Sequence, residues 1–142
     1  MSANVDANAN QNDAKVANEA CLSSAKELCT KYFNACKDGD LDLWISTLHT
    51  ELKSTPSTKL PGPFKTCNWY EGRNRVNKYQ VQYEFTREVS TGMRGADPTT
   101  TLAFQPKYGK VAGYEEGAPL GGEIQIILKM EDGKWKMLKG DF

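Results

Sequence analysis

The sequence lacks an excess of charge of either sign and has no long hydrophobic run. Eighteen basic and eighteen acidic side chains cancel in a chain of 142 residues. A neutral balance gives no electrostatic reason to expect nucleic acid or an anionic membrane surface as a partner. Apolar runs such as Ile126-Ile127-Leu128 are far shorter than the roughly 18 residues that a membrane span needs. We therefore expect neither nucleic acid nor a membrane as a partner.

Sequence patterns that bind metals, nucleotides or catalytic nucleophiles are also missing. The chain has no Cys-x-x-Cys, Gly-x-Gly-x-x-Gly, Walker or Gly-x-Ser-x-Gly pattern. The run DGDLD at 38–42 is similar to the start of a calcium-binding loop. Leu43 stands at its sixth position, where glycine is required, and His49 stands at its twelfth, where glutamate is required. The sequence therefore predicts no metal and no cofactor.

The length and the first residues indicate how the chain is organised. At 15.8 kDa it is long enough for one hydrophobic core and too short for two. The first twelve residues, MSANVDANANQN, are rich in Asn and Ala and contain neither a basic start nor an apolar segment. They predict a disordered tail over 1–12, followed by a single domain over 13–142. Taken as given, the sequence indicates a cytoplasmic protein; a signal peptide removed before this start is the alternative.

Helical periodicity dominates the first part of the domain. Between Asp13 and Lys37 the apolar residues recur at helical spacing, at Cys21, Ala25, Leu28, Cys29, Tyr32 and Cys36. Gly39 is suited to end this helix, and Asp40 is suited to cap the next one. A second helical stripe follows, at Leu41, Trp44, Ile45, Leu48 and Leu52. The sequence therefore predicts a helical hairpin.

The cysteines on the first helix are predicted to be reduced. Cys29 and Cys36 lie two helical turns apart, about 10 Å at 1.5 Å per residue. A disulfide needs Cα atoms within roughly 7 Å, so these two thiols are too far apart to bridge. Only Cys67 lies outside this helix and is free to pair with a cysteine on it. We expect Cys29 and Cys36 to be reduced and buried.

Strand periodicity dominates the second half. Apolar and polar residues alternate strictly from Tyr79 to Val89, and a further strand is predicted over Thr99–Gln105. Asp132-Gly133 is a two-residue turn signal that pairs 123–131 with 134–139 in a closing hairpin. Prolines over 54–78 rule out a long helix and indicate a short strand or an ordered loop. The glycine-rich stretch 106–122 indicates a long mobile loop.

Two segments carry a resemblance to a known family. The stretch from Ala25 to Asp42, with its acidic Gly-Asp step between helices, and the hairpin 131–136 (EDGKWK) resemble the nuclear-transport-factor-2-like (NTF2-like, cystatin-like α+β cone) superfamily. The resemblance implies an α+β fold, in which a helical hairpin packs on a curved antiparallel sheet around a cone. It also implies enzymes such as ketosteroid isomerases, polyketide cyclases and dehydratases, or non-catalytic binding and dimerisation modules. The fold alone does not choose among these.

The alternation of side chains along the strands and the apolar faces of the two helices predict which residues line the cone. The inward strand positions contain no acid or imidazole, and only Arg87 interrupts the apolar face. We predict a ligand-binding wall formed by Tyr32, Trp44, Tyr79, Tyr83 and Arg87. Arg87 would then suit an acidic or carbonyl-bearing ligand. The alternative is that the tyrosines pack solidly and Arg87 pairs with a surface carboxylate.

The sequence ranks three functional hypotheses. A lined pocket without a general base favours a non-catalytic module that binds a small apolar or aromatic ligand, forms a homodimer through its sheet, or does both. An isomerase, dehydratase or cyclase acting on a small hydrophobic substrate is the alternative. For this alternative His49 at the cone mouth and Asp141 are the candidate acid–base groups, although His49 is predicted to be a half-exposed surface residue. A pure interaction domain with a filled core is the third hypothesis.

Overall fold

The chain forms helices packed on one antiparallel sheet. A computed structural model describes the backbone of residues 3–53 and 69–140 and the side chains of residues 21–52 and 69–140. Within these residues the helices are α1 (Ala3–Asp38), α2 (Leu41–Ser46), α3 (Thr50–Lys53) and α4 (Trp69–Tyr79). The strands are β1 (Gln82–Arg94), β2 (Asp97–Lys107), β3 (Ile124–Glu131) and β4 (Lys134–Lys139), in the sheet order β1-β2-β3-β4. The α+β class is therefore confirmed.

Helix α1 lays its predicted apolar stripe on the sheet. Cys29, Tyr32 and Cys36 are fully buried, and Phe33 packs edge-on against Phe104 of β2, with 5.2 Å between ring centroids. The backbone is helical from Ala3, ahead of the predicted start at Asp13. The division of the chain into a tail over 1–12 and a domain over 13–142 stays a prediction.

The second predicted helix is interrupted. Helix α2 ends at Ser46, and Leu48 instead forms a parallel β-bridge with Met137 of β4. The His49 amide donates to the Met137 carbonyl at 2.8 Å, and the Met137 amide donates to the Thr47 carbonyl at 2.7 Å. These bonds satisfy part of the open edge of β4, which a continuous helix would leave unpaired. The large residues of the stripe are nevertheless buried as predicted: Trp44, Leu48 and Leu52.

The region before β1 is helical, which corrects two predictions. The sequence predicts Trp69 in a strand or loop and Tyr79 at the start of a strand, but both lie in α4. The buried residues of α4 are Trp69, Gly72 and Val76, spaced three and four apart as one helical face requires. Strand β1 begins only at Gln82. Residues 54–68, which include Cys67, lie outside the described part of the chain.

Two irregularities in β1 change which side chains face the helices. We call the side of the sheet that carries Leu102 and Phe104 the helix-facing side, because both residues belong to the core that α1 covers. The pairing of β1 with β2 skips Thr86 and later Val89, so each is an extra residue in the strand. Between Thr86 and Val89 the side chains of β1 face the opposite sides from those that strict alternation predicts, and past Val89 the original alternation returns. Strict alternation from Tyr79 to Val89 is therefore wrong.

The closing hairpin has the predicted register. Glu131 pairs with Lys134, Met130 with Trp135, and Leu128 with Met137. The turn residues Asp132 and Gly133 have φ angles of 51° and 77°, as a type I′ turn requires. The hairpin contributes part of the helix-facing core: Ile124, Ile126, Leu128, Trp135 and Met137.

The thiols on α1 behave as predicted where they are described. Cys29 and Cys36 are free and buried, whereas Cys21 is free and exposed. Burial raises the pKa of both the Cys29 and the Cys36 thiol to about 12. A thiol that stays protonated at neutral pH is a poor nucleophile. Cys29 and Cys36 are therefore packing residues.

Candidate functional site

Three of the five predicted ligand-binding residues lie together in the core. Tyr32 and Trp44 are fully buried, with 5.8 Å between their ring centroids. Tyr83 stacks face to face on Phe33 at 4.0 Å, with an angle of 6° between the rings. The structure therefore brings these three residues together as packed aromatic side chains between the helices and the sheet.

Tyr79 and Arg87 lie elsewhere. Strict alternation along one strand would place them on the same face as Tyr83, but the structure does not have that alternation. Tyr79 ends α4, and its ring contacts Tyr108 and Tyr114 edge-on at 5.6 and 5.5 Å. Arg87 lies beyond the extra residue Thr86 and pairs with Ala103, on the outer side of the sheet. These two residues do not join the other three in one wall; whether any of the five binds a ligand stays a prediction.

Arg87 is held by an acidic partner on the outer side. Its Nη2 atom lies 2.9 Å from Oε1 of Glu123. Hydrogen bonds from Arg87 and from the Thr86 hydroxyl hold the pKa of Glu123 below its ordinary value. The same hydroxyl lies 3.0 Å from the Ala103 carbonyl, so its single proton is shared between that carbonyl and the Glu123 carboxylate. The extra residue is therefore tied down by its own side chain.

A cavity of about 260 Å³ opens where α1 meets the β1–β2 hairpin. We call it the mouth pocket. Its wall combines apolar residues, three threonines and one acidic residue, and it includes Leu22, Glu88, Thr91, Pro98, Thr100 and Trp135. Thr91 and Glu88 both lie beyond the extra residue Thr86, and they pair with Thr100 and Leu102 on the helix-facing side. The extra residue Thr86 thus turns Glu88 to the helix-facing side, and the second extra residue, Val89, returns Thr91 to that same side.

Glu88 is the site residue that the sequence analysis missed. Strict alternation assigned Glu88 to the water-facing side of β1, and no glycine or proline near Thr86 signals the extra residue. Glu88 makes no hydrogen bond or ion pair with any residue that the structure describes. Its carboxylate is therefore available to a ligand in the mouth pocket.

Trp135 fixes the inner wall of the mouth pocket. Its indole Nε1 donates to the backbone carbonyl of Cys21 on α1 at 3.1 Å. The ring is buried and belongs to the hydrophobic core. An indole held by both packing and a hydrogen bond presents a rigid flat surface to an apolar ligand.

His49 does not lie in the mouth pocket, and the prediction that it is half-exposed is wrong. The side chain is buried, because the bridge between Leu48 and Met137 draws this segment against the sheet edge. Its Nδ1 accepts from the Glu51 amide at 2.9 Å, which leaves Nε2 facing Oε2 of Glu131 at 3.5 Å. His49 is therefore engaged in local structure.

Glu131 is the carboxylate that completes this cluster. Its burial opposes ionisation, but hydrogen bonds from Thr50, together with electrostatic attraction to His49 and Lys136, outweigh it and lower the pKa of Glu131 below its ordinary value. The Thr50 amide donates to Oε2 at 3.2 Å. The cluster ties α3 to the end of β3 on the outer side of the sheet.

The described residues offer no ready metal site. Across 3–53 and 69–140, no group of three His, Cys, Asp or Glu side chains is close enough together to hold a metal ion. Asp141, the other predicted acid–base candidate, lies outside the described part of the chain. Among the helices of that part, none has the length and apolar character needed to span a membrane.

Comparison with known proteins identifies the fold. The sequence matches no protein-family model and no curated protein. A candidate dehydratase of the NTF2-like family from Streptomyces avermitilis superposes with a TM-score of 0.51 at 12% identity, covering 84% of this chain and 92% of that one. A protein of unknown function from Mycobacterium tuberculosis superposes with a TM-score of 0.54 at 17% identity, covering 88% of this chain and 70% of that one. The chain therefore has the NTF2-like fold, as the resemblance implied.

Proposed function

We propose that this chain is a binding module that holds a small, largely apolar ligand in the mouth pocket. The observation that carries the proposal is the pocket itself. Leu22, Pro98 and Trp135 line it, and beside them lies the Glu88 carboxylate, which has no hydrogen-bond partner among the described residues. The interior below it is occupied by stacked aromatic side chains, of which Phe33 and Tyr83 are one pair. The ligand is therefore proposed to bind at the mouth of the cone.

The wall of the pocket suggests the chemistry of the ligand. A volume of about 260 Å³ is near the lower end of the range for small-molecule sites, so it suits a single ring or a short chain. Glu88 accepts hydrogen bonds, and the Thr91 hydroxyl both donates and accepts them. An aromatic or aliphatic amine or alcohol can make both contacts: its apolar part packs on the wall, and its amine or hydroxyl group donates a hydrogen bond to the carboxylate. This replaces the acidic ligand expected from Arg87, which lies on the other side of the sheet.

An enzyme of the isomerase, dehydratase or cyclase type is the second candidate, and Glu88 is the observation that favours it. A carboxylate beside an apolar pocket is the kind of group that removes a proton from carbon in such reactions. The NTF2-like protein from Streptomyces avermitilis with the same fold is a candidate dehydratase. This reading ranks second because no described residue hydrogen-bonds to Glu88 to orient it.

Filling the pocket tests the binding proposal. In Thr91→Trp a large ring enters the mouth pocket, whereas in Ser90→Trp the same ring is added at the neighbouring residue, which pairs with Thr101 on the outer side. A library of aromatic and aliphatic amines is titrated into each protein and followed by amide chemical shifts. We expect wild type and Ser90→Trp to bind the same compounds through Leu22, Thr91 and Thr100, and Thr91→Trp to lose them. Equal binding by both variants would contradict the proposal.

Proton exchange separates the binding reading from the enzymatic one. Small ketones are incubated with the protein in deuterated water, and deuterium incorporation next to the carbonyl is measured by mass spectrometry. A general base at Glu88 catalyses this exchange, and Glu88→Gln abolishes it. A binding module gives no exchange above the uncatalysed rate, while Glu88→Gln still weakens binding of amines.

A further inference from the structure

A second cavity lies on the other side of Trp135 from the mouth pocket. It has a volume of about 450 Å³ and runs between α1, α2 and the β3–β4 hairpin. We call it the lysine groove, after Lys31 of α1 and Lys134 and Lys136 of β4, which line it. Trp135 and Cys21 line both cavities.

The charges along the lysine groove are unbalanced. Three lysines face one acid, Glu27, in a chain whose total charge is zero. Lys31 and Lys134 form no hydrogen bond or ion pair with any described residue. Lys136 donates to the Ser46 carbonyl at 2.8 Å, which fixes its ammonium at the rim while leaving further donors. The groove therefore carries more positive than negative charge, although Glu131 of β3 offsets part of the charge of Lys136.

The floor of the lysine groove is apolar. Leu28 and Met130 are partly buried against the core, and Trp135 also lines the groove. Leu43 on α2 is 38% exposed although it is a large aliphatic residue, and it lines the groove. Apolar side chains in a concave surface bordered by ammonium groups suit a ligand with an apolar body and an anionic head.

We propose that the lysine groove binds a small amphipathic anion, an aromatic or aliphatic compound carrying a carboxylate or sulfonate. The apolar body lies on Leu28, Leu43 and Trp135, and the anionic head accepts hydrogen bonds from Lys31 and Lys134. The site is independent of the proposed function, because the mouth pocket presents a carboxylate and selects for the opposite charge. A single tryptophan thus separates two sites of opposite charge preference.

A matched pair of dyes tests the proposal. The anionic probe is 8-anilinonaphthalene-1-sulfonate, and the neutral control is N-phenyl-1-naphthylamine, which has the same rings without the sulfonate. We expect the sulfonate to bind at least about tenfold more tightly than the neutral dye, since charge-assisted hydrogen bonds add to the contact of the rings. Added salt should weaken the binding of the sulfonate dye and leave the binding of the neutral dye unchanged. Equal affinity for the two dyes would overturn the proposal.

Charge-removing variants locate the bound dye. Lys31→Gln/Lys134→Gln removes two ammonium groups of the groove, and Lys110→Gln/Lys139→Gln removes two exposed ones outside it. We expect the first double variant to lose about tenfold or more in affinity for the sulfonate and the second to match wild type. Thr91→Trp, which fills the mouth pocket, should also match wild type. Loss of binding in Thr91→Trp with no loss in the groove variant would overturn the proposal and assign the dye to the mouth pocket.

Discussion

At the scale of single residues, Trp135 has the most varied role in the molecule. It sits opposite Met130 in the closing hairpin, packs in the core and donates to the Cys21 carbonyl of α1. It also separates the mouth pocket from the lysine groove. The hairpin register, which places Trp135 on the helix-facing side, followed from the sequence alone because charge pairing and the Asp132-Gly133 turn agreed.

Removing the indole should destabilise the fold strongly. Trp135→Ala is expected to lower the free energy of unfolding by about 3–5 kcal/mol, the usual effect of emptying a large aromatic site. Trp135→Phe keeps most of the packing and loses the bond to Cys21, so its loss should be smaller. Denaturant unfolding of the three proteins measures both changes. A loss below about 1 kcal/mol for Trp135→Ala would mean that the ring does not pack in the core.

The buried thiols should resist alkylation. With their pKa raised to about 12 by burial, Cys29 and Cys36 remain protonated and inaccessible at pH 8. Cys21 is exposed and serves as the internal control. Labelling with iodoacetamide, followed by peptide mass spectrometry, should modify Cys21 in the native protein and all three residues after denaturation. Rapid native labelling of Cys29 would show that α1 does not pack as described.

At the scale of elements, the least predictable feature was the pair of irregularities in β1. Apart from Arg87, the residues from Tyr79 to Val89 follow period two, and a single exception does not show that Thr86 is an extra residue. Its position is fixed by pairing with β2, and hydrogen bonds from its hydroxyl to Ala103 and Glu123 support it. A local sequence pattern carries no information about contacts between residues that are distant in sequence. The same feature moves Arg87 out of the site and Glu88 into it.

Helix α4, by contrast, was predictable. Trp69, Gly72, Val76 and Tyr79 follow steps of three, four and three, which is one helical face. The alternation of Tyr79, Val81 and Tyr83 matched a strand equally well and masked that signal. The helical spacing that ends at Tyr79 and the strand alternation that begins there overlap, and only the tertiary structure decides between them.

Helix α4 also supports the end of α1. Arg73 donates from Nη1 to the carbonyls of Cys36 and Lys37 at 2.5 and 3.0 Å. The last carbonyls of a helix lack partners within it, so a guanidinium there stabilises the helix end. Arg73→Ala should lower the free energy of unfolding by about 1–2 kcal/mol.

The neighbouring arginine provides the control. Arg75 pairs with Glu71 on the same helix at 3.4 Å, in a partly exposed position. Arg75→Ala should therefore change the free energy of unfolding by no more than about 0.5 kcal/mol. Thermal unfolding of both variants makes the comparison, and equal effects would contradict the capping role of Arg73.

The cluster that joins α3 to β3 should make stability depend on acid pH. Its hydrogen bonds from Thr50 lower the pKa of Glu131 in the folded state relative to the unfolded chain. A depressed carboxyl pKa adds stability above the unfolded value, and that stability is lost as the pH falls through the folded value. Wild type should lose stability below about pH 4.5, and Glu131→Gln should lose less over the same interval. If wild type and Glu131→Gln lost equal stability as the pH falls, Glu131 would not be the group responsible.

At the scale of the whole molecule, the two sides of the sheet differ in character. The helix-facing side is apolar except at the mouth, whereas the outer side carries ion pairs between Arg87 and Glu123 and between Lys107 and Glu84. Homodimerisation through the sheet stays a prediction. If it occurs through the outer side, Arg87→Glu places like charges beside Glu123, and sedimentation velocity should show a shift toward monomer. The mouth of the cone lies on the helix side, and the lysine groove lies along the edge strand β4, between that strand and helices α1 and α2.

We propose that a ligand binds in the mouth pocket, to which the extra residue Thr86 turns the Glu88 carboxylate. A crystal structure of the full chain with an aromatic amine, chosen from the compounds that bind in solution, tests this most directly. The account predicts the ring between Leu22 and Trp135, with its amine within hydrogen-bonding distance of the Glu88 carboxylate. A ligand seated deep among Tyr32, Phe33 and Trp44, or Glu88 directed to the outer side of the sheet, would contradict it.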